Sequence, residues 1–157
     1  MHLLVSYLRI LHHWDLKSMR LTPVRKNANI KEGGLATVEL TYYQEEDGAV
    51  PLTQWFDTLS PKAIQKCHVK LERLEQLGHE LRRPEADYLR DGIYELRGGY
   101  RGVHHRMLYS FHGRAAVVVS HGLMKERAVP PREIDLAVKR KGWFEGNPER
   151  HAFRPKE

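Results

Sequence analysis

The residues best equipped for chemistry lie between Tyr94 and Arg127. There Arg97, Arg101, Arg106, Arg114, Lys125 and Arg127 are set against only two acids, Glu95 and Glu126, with His104, His105, His112 and His121 interleaved. Arginines can hold a phosphate and neutralise the charge that develops on it, while a group able to take a proton activates an attacking hydroxyl. Such a set suits phosphodiester chemistry. With RNA the attacking group can be the substrate's own 2′-OH, so neither a metal nor a cofactor is required. A fixed polyanion would be drawn to this surface whatever the chemistry.

The elements that must position these side chains are short alternating runs. In Ile93-Tyr94-Glu95-Leu96-Arg97, Tyr94 and Leu96 point one way and Glu95 and Arg97 the other, because successive side chains of a strand face opposite sides. Gly98 to Gly102 reads as a flexible connection, Val103 to Phe111 as a second strand, His112-Gly113-Arg114 as a tight turn and Ala115 to His121 as a third strand, which together make an antiparallel meander. Arg106 sits inside an apolar run, which argues against a merely solvated cation. His104 shares its face and is the better acid–base candidate among the histidines. Tyr109 is a further acid–base candidate whose plainer reading is a core tyrosine. Lys125 and Arg127, between the last strand and the final helix, are placed to line a phosphate site, with loop punctuation as their plainer reading. Arg101 in a turn and His121 complete the substrate-binding set, with solvation and packing as their plainer readings.

The rest of the chain reads as scaffold. Thr37 to Tyr43 alternates and is rich in β-branched and aromatic residues, as a first strand should be. Pro51 to Leu59 suits a short helix. Ser60 as N-cap with Pro61 at the first helical position opens a long amphipathic one, carried by Ile64, Cys67 or His68, Leu71, Leu74 and Leu77 and ended by Gly78. Leu81 to Gly92 reads as a polar link. Pro130-Pro131 opens a last helix with Ile134 and Ala137 or Val138 inward, cations at its end, and Gly142 as its stop. The expected fold is therefore α+β: a small antiparallel sheet, made of the N-terminal strand plus the three-stranded meander, with a helical hairpin packed on one face and a C-terminal helix. Helices are expected on one face only, leaving the other partly open. Residues 1–34, with a helical stripe of Leu4, Leu8 and Leu11, form an N-terminal extension or an upstream start; 35–142 form the domain; 143–157 form a tail.

Composition excludes several classes. The 157 residues carry a net charge of +6, a mild pointer to an acidic partner. Cys67 is the only cysteine, so no internal disulfide can form and a reducing compartment is indicated. Leu3 to Leu11 is too short and interrupted to span a bilayer and lacks the features of a signal peptide, so a cytoplasmic protein with no membrane partner is expected. Ten histidines invite a metal site, but His104 and His105 fall on opposite strand faces and no paired Cys-x-x-Cys or His-x-x-x-His spacing occurs, so none is expected. There is no glycine-rich phosphate loop and no Gly-x-Ser-x-Gly elbow.

Four strings carry a resemblance: Ile93-Tyr94-Glu95-Leu96-Arg97; Arg106 to Gly113; Val117 to Lys125; and Pro131-Arg132-Glu133-Ile134 to Ala137. From about Leu35 to Lys141 the chain resembles the RelE/ParE toxin superfamily of type II toxin–antitoxin systems, closest to its phage-derived HigB-like branch. The resemblance implies a small sheet with an N-terminal helical hairpin and a metal-independent endoribonuclease, an mRNA interferase that cuts mRNA on the ribosome and so inhibits translation. It matches Arg106 to the strand arginine at the scissile phosphate, Arg97 to a basic residue of the preceding strand, and Lys125 or Arg127 to a further cation before the last helix. Arg106, Arg97, His104 and Tyr109 are thus the candidate catalytic set. Glu95 stands where ribonuclease members often carry lysine, although glutamate is usual in the HigB-like branch, so the general base stays unassigned. The resemblance also implies a helix-turn-helix, HigA-like antitoxin as partner. The superfamily includes gyrase inhibitors, so a non-enzymatic ParE-like inhibitor and a plain RNA-binding module stay as alternatives.

Overall fold

The computed structural model describes residues 37–125 and 127–155, so the reading of residues 1–34 lies outside the described residues. In chain order the elements are β1 (Glu39–Tyr43), α1 (Pro51–Phe56), α2 (Pro61–Leu77), a 3₁₀ turn (Gly78–Glu80), β2 (Ala86–Arg90), β3 (Ile93–Tyr100), β4 (Val103–His112), β5 (Ala116–Met124), α3 (Pro131–Gly146), α4 (Pro148–His151) and β6 (Ala152–Phe153). The architecture is the expected α+β, built on one six-stranded sheet in the order β2-β3-β4-β5-β1-β6. The sheet is mixed rather than purely antiparallel. β1 joins β5 in parallel, from Glu39 opposite Ala116 to Tyr42 opposite Val119, and β6 closes that edge antiparallel to β1. Strand direction leaves no mark on a period-two pattern. Burial on both faces does, and Thr41, Tyr42 and Tyr43 are all buried.

Local chemistry explains the elements that flank the site. Ser60 Oγ accepts from the Ala63 N–H at 3.3 Å and Pro61 occupies the first turn, which fixes where α2 begins. The strand β2 occupies what reads in the sequence as a polar link. Asp91 and Gly92 make the connection to β3, both at positive φ (52° and 78°), as a two-residue hairpin turn of the type Asp-Gly favours. The next hairpin turns on Arg101-Gly102, with φ of 51° and 77°, so Gly98 and Gly99 belong to β3 and not to a loop. Gly142 does not stop α3, which runs on to Gly146 with Asn147 as its C-cap. The tail that followed it in the sequence reading supplies α4 and the edge strand β6.

Two layers cover the sheet. On one face α1 and α2 bring Leu52, Phe56, Ile64, Cys67, Leu71 and Leu74 onto Leu96, Met107, Tyr109, Val117 and Val119. A close approach fixes α1 there: Trp55 lies on Gly122, where an added Cβ would meet its ring at 2.0 Å. The opposite face is not left to solvent as a whole. α3 covers part of it, packing Ile134 and Ala137 against Ile93 and Leu108, with Phe144 against Tyr43 and Val118. Helices therefore lie on both faces, and the open region is what α3 leaves uncovered. Among the described residues no helix is long and apolar enough to cross a membrane.

Candidate functional site

The β3–β4 ladder sets the candidate residues in rows. Glu95 pairs with Leu108 and Arg97 with Arg106, both on the face away from α1 and α2. α3 packs on Leu108, one row from the arginines, so the Arg97–Arg106 row lies at the margin of its cover, with side chains 31% and 14% exposed. Between the two arginines sits the buried carboxylate of Glu95. Its Oε1 accepts from Arg97 Nε at 2.8 Å and lies 2.6 Å from Nη2, while Oε2 is 3.3 Å from Arg106 Nε. Arg97 Nη2 also donates to Asp87 Oδ2 at 2.9 Å, and that oxygen lies 2.7 Å from Arg83. Arg83 above all, with Arg97, holds the Asp87 carboxyl below the usual carboxylate range.

This chain of charges divides the two arginines. Arg97 is engaged by two carboxylates, which fix its fork in place. Arg106 has Glu95 as its only ion partner among the described residues, and its Nε is buried without a well-aligned hydrogen bond. Its terminal nitrogens carry no ion pair among the described residues.

From Arg106 the same face continues to His104 and then to Lys125 and Arg127, two cations that carry no acidic partner among the described residues. His104 is two positions back along β4, one side-chain repeat on that face. Arg106 faces Leu123 across β4–β5, and two positions on, Lys125 donates its backbone N–H to the His104 carbonyl at 3.0 Å. His104, Lys125 and Arg127 line an open cleft of about 450 Å³ with Gly102, Val103 and Met124. Arg101 is exposed in the adjoining turn, its guanidinium 5.4 Å above the Tyr100 ring. The row is thus compensated at Arg97, while its far end holds Lys125 and Arg127 without an acidic partner among the described residues.

Two sequence candidates fall elsewhere. Tyr109 is on the helix-covered face, opposite Arg106, with its ring stacked on Tyr94 at 5.4 Å and burial pushing its hydroxyl up beyond the ordinary phenol range. It is a core tyrosine, without access to a phosphate at Arg106. His121 shares the arginine face but lies under α3. Its Nε2 is 3.1 Å from Glu133 Oε2 and its Nδ1 2.8 Å from Ser120 Oγ, and burial holds its pKa below the usual histidine value. It is a buried anchor for α3 instead of a substrate contact. Asp87 and Arg83 went unread in the sequence because β2 did; the Asp91-Gly92 turn was the signal that pointed to that strand.

The family model of the phage derived protein Gp49-like (DUF891) matches residues 54–142, more than half of the 157-residue chain. The chain belongs to the Gp49-like family. That family is known in toxin–antitoxin contexts with RelE-like proteins. The Gp49-like match runs from α1 into α3 and so contains β2 to β5 with Glu95, Arg97, His104, Arg106, Lys125 and Arg127. No curated protein matches the chain.

Proposed function

We propose that this Gp49-like protein is the toxin of a type II toxin–antitoxin pair, in the HigB-like manner, and that it cuts mRNA on the ribosome. One observation carries the reading: Arg106 has Glu95 as its only ion partner among the described residues, and beyond it His104, Lys125 and Arg127 line an open cleft in which neither Lys125 nor Arg127 has an acidic partner among those residues. A phosphate seated on the terminal nitrogens of Arg106 has its negative charge met by a charge-assisted contact that strengthens as charge builds in the transition state. The neighbouring 2′-OH then attacks phosphorus. The 2′-O–P bond forms, the P–O5′ bond breaks, and the products are a 2′,3′-cyclic phosphate and a 5′-OH. His104, an imidazole on the Arg106 face, is assigned the proton transfer, since imidazole can take or give a proton near neutral pH. Glu95 is committed to the arginines and acts as their positioning group. Lys125, Arg127 and Arg101 hold flanking phosphates. A helix-turn-helix antitoxin is the expected inhibitor, and coverage of this cationic face would silence it.

Mapping transcript ends after brief induction tests the reading. New cuts within reading frames, abolished by Arg106→Ala and kept in Arg114→Ala at the β4–β5 turn, are the expected result. Intact transcripts with stalled DNA gyrase complexes would replace it with gyrase inhibition, and RNA binding without cuts would replace it with a plain binding module.

A further inference from the structure

On the opposite face, at the β2 edge of the sheet, a second concavity of about 490 Å³ is walled by Tyr88, Tyr94, Phe111 and His79 and bordered by Arg82 and Arg83. Tyr88 and Tyr94 lie 5.2 Å apart at 70°, Tyr94 and Phe111 5.4 Å apart at 81°, and His79 stacks on Phe111 at 3.6 Å. Tyr88, Tyr94 and Phe111 thus meet as inclined walls, while His79 covers one side of Phe111. Tyr88 is 55% exposed, so its ring is open to a stacking partner from solvent. Arg82 is exposed and has no acidic partner among the described residues; its Nη1 donates to the carbonyls of His79 and Leu81, which hold it at the rim.

We infer that this concavity is a stacking subsite for a nucleobase of single-stranded RNA, with Arg82 meeting the adjoining phosphate. Aromatic rings beside an unpaired guanidinium are the combination that binds single strands without regard to sequence. Its location adds a second argument. β2 is an edge strand, and Asp87, which lines the concavity, bonds Arg97 on the other face at 2.9 Å. A strand bent around that edge would reach from Tyr88 past Arg83 to the Arg97–Arg106 row. The inference rests on the reading that the chain acts on RNA, and it adds where the strand lies outside the cleaved phosphate.

The test is fluorescence anisotropy of the full chain with a labelled 2′-O-methyl RNA decamer, which has no free 2′-OH and cannot be cut. Tyr88→Ala is expected to weaken binding roughly 5- to 100-fold, while Tyr88→Phe keeps the ring and binds like the native chain. Arg82→Ala is expected to lower the slope of log affinity against log salt by about 0.7, one phosphate contact on a single strand. Native affinity in Tyr88→Ala would overturn the subsite, as would a Tyr88-dependent complex with a protein partner in a chain that binds no decamer. Transcript cutting separates the two ideas. Cuts with Tyr88-independent binding leave the proposed function standing and remove the subsite; Tyr88-dependent binding without cuts removes the nuclease and leaves the subsite.

Discussion

Arg97 and Arg106 stand directly opposite one another across the β3–β4 ladder, two like charges on one face held together by the Glu95 carboxylate between them. Like charges so placed are destabilising, and a buried carboxylate is costly unless it is paired. Each problem answers the other. The arrangement also sets a balance, because the carboxylate that stabilises the pair competes with any phosphate for Arg106.

Glu95→Gln should therefore move stability and binding in opposite directions. Removing the charge leaves Arg106 without its ion partner and Arg97 with Asp87 alone, and since both arginines retain some solvent, a loss of about 1–3 kcal/mol is expected. Affinity for single-stranded RNA should rise, because Arg106 no longer shares its charge. Urea denaturation and anisotropy on the same preparation check both. An unchanged affinity would mean that phosphate does not seat at Arg106.

The Lys125–Arg127 end of the row should show in salt dependence. Lys125→Ala with Arg127→Ala removes two cations that border the cleft beside His104. If each meets a phosphate, the slope of log affinity against log salt falls by about 1.4 for a single strand. Both side chains are exposed, so the thermal midpoint should stay where it is. A lower affinity with an unchanged slope would mean that these residues do not touch the backbone.

The α1–β5 contact makes a prediction about packing. Gly122→Ala places a methyl where the Trp55 ring already lies, at 2.0 Å, and Trp55 is itself held edge-on to His105 at 5.9 Å. The ring must leave or the strand must bend. Overpacking of this kind costs about 1–3 kcal/mol, and Trp55 fluorescence should shift as the ring is displaced. A native spectrum and native stability would show that α1 is free to move off the sheet.

Much of this molecule was legible where a local signal decided the structure. Ser60-Pro61 announced α2, and the alternation from Ile93 to His121 announced the meander. The same counting separates Arg106 and His104 from Tyr109, since residues an odd number apart on one strand face opposite ways; the role given to Tyr109 went against it. What stayed hidden depended on partners distant in sequence. Asp87 compensates Arg97 only because β2 lies beside β3, and Ala86 to Arg90 is a mixed edge strand without a clean alternation. His121 has the right parity for the cationic face, yet Glu133 of α3 covers it. The parallel join of β1 to β5 and the split of helices over two faces are tertiary choices for which periodicity has no sign.

The buried His121 gives the last prediction, a loss of stability on mild acidification. Burial, with Arg140 nearby, lowers its pKa, while Glu133 opposes that shift; Ser120 completes its surroundings. The fitting form is the neutral imidazole, with Nε2–H donating to Glu133 and Nδ1 accepting from the Ser120 hydroxyl. Its folded pKa lies below the ordinary 6.5, so on acidification the unfolded chain takes up the proton first. The unfolded state then binds more protons, and stability falls as pH drops through 6.5 and below. His68 and His105, also lowered by burial, act in the same sense, so the variant must isolate one site. His121→Gln, which keeps an N–H for Glu133, should lose less stability between pH 7.5 and 5 than the native chain in urea titrations. The window is distinct from that of Glu85, whose carboxyl is held down to about 2 by Arg73 and Lys70 and whose contribution disappears only below its ordinary 4.5. Equal acid losses in native and His121→Gln chains would show that His121 is as readily protonated folded as unfolded, and that its contacts with Ser120 and Glu133 do not favour the neutral ring.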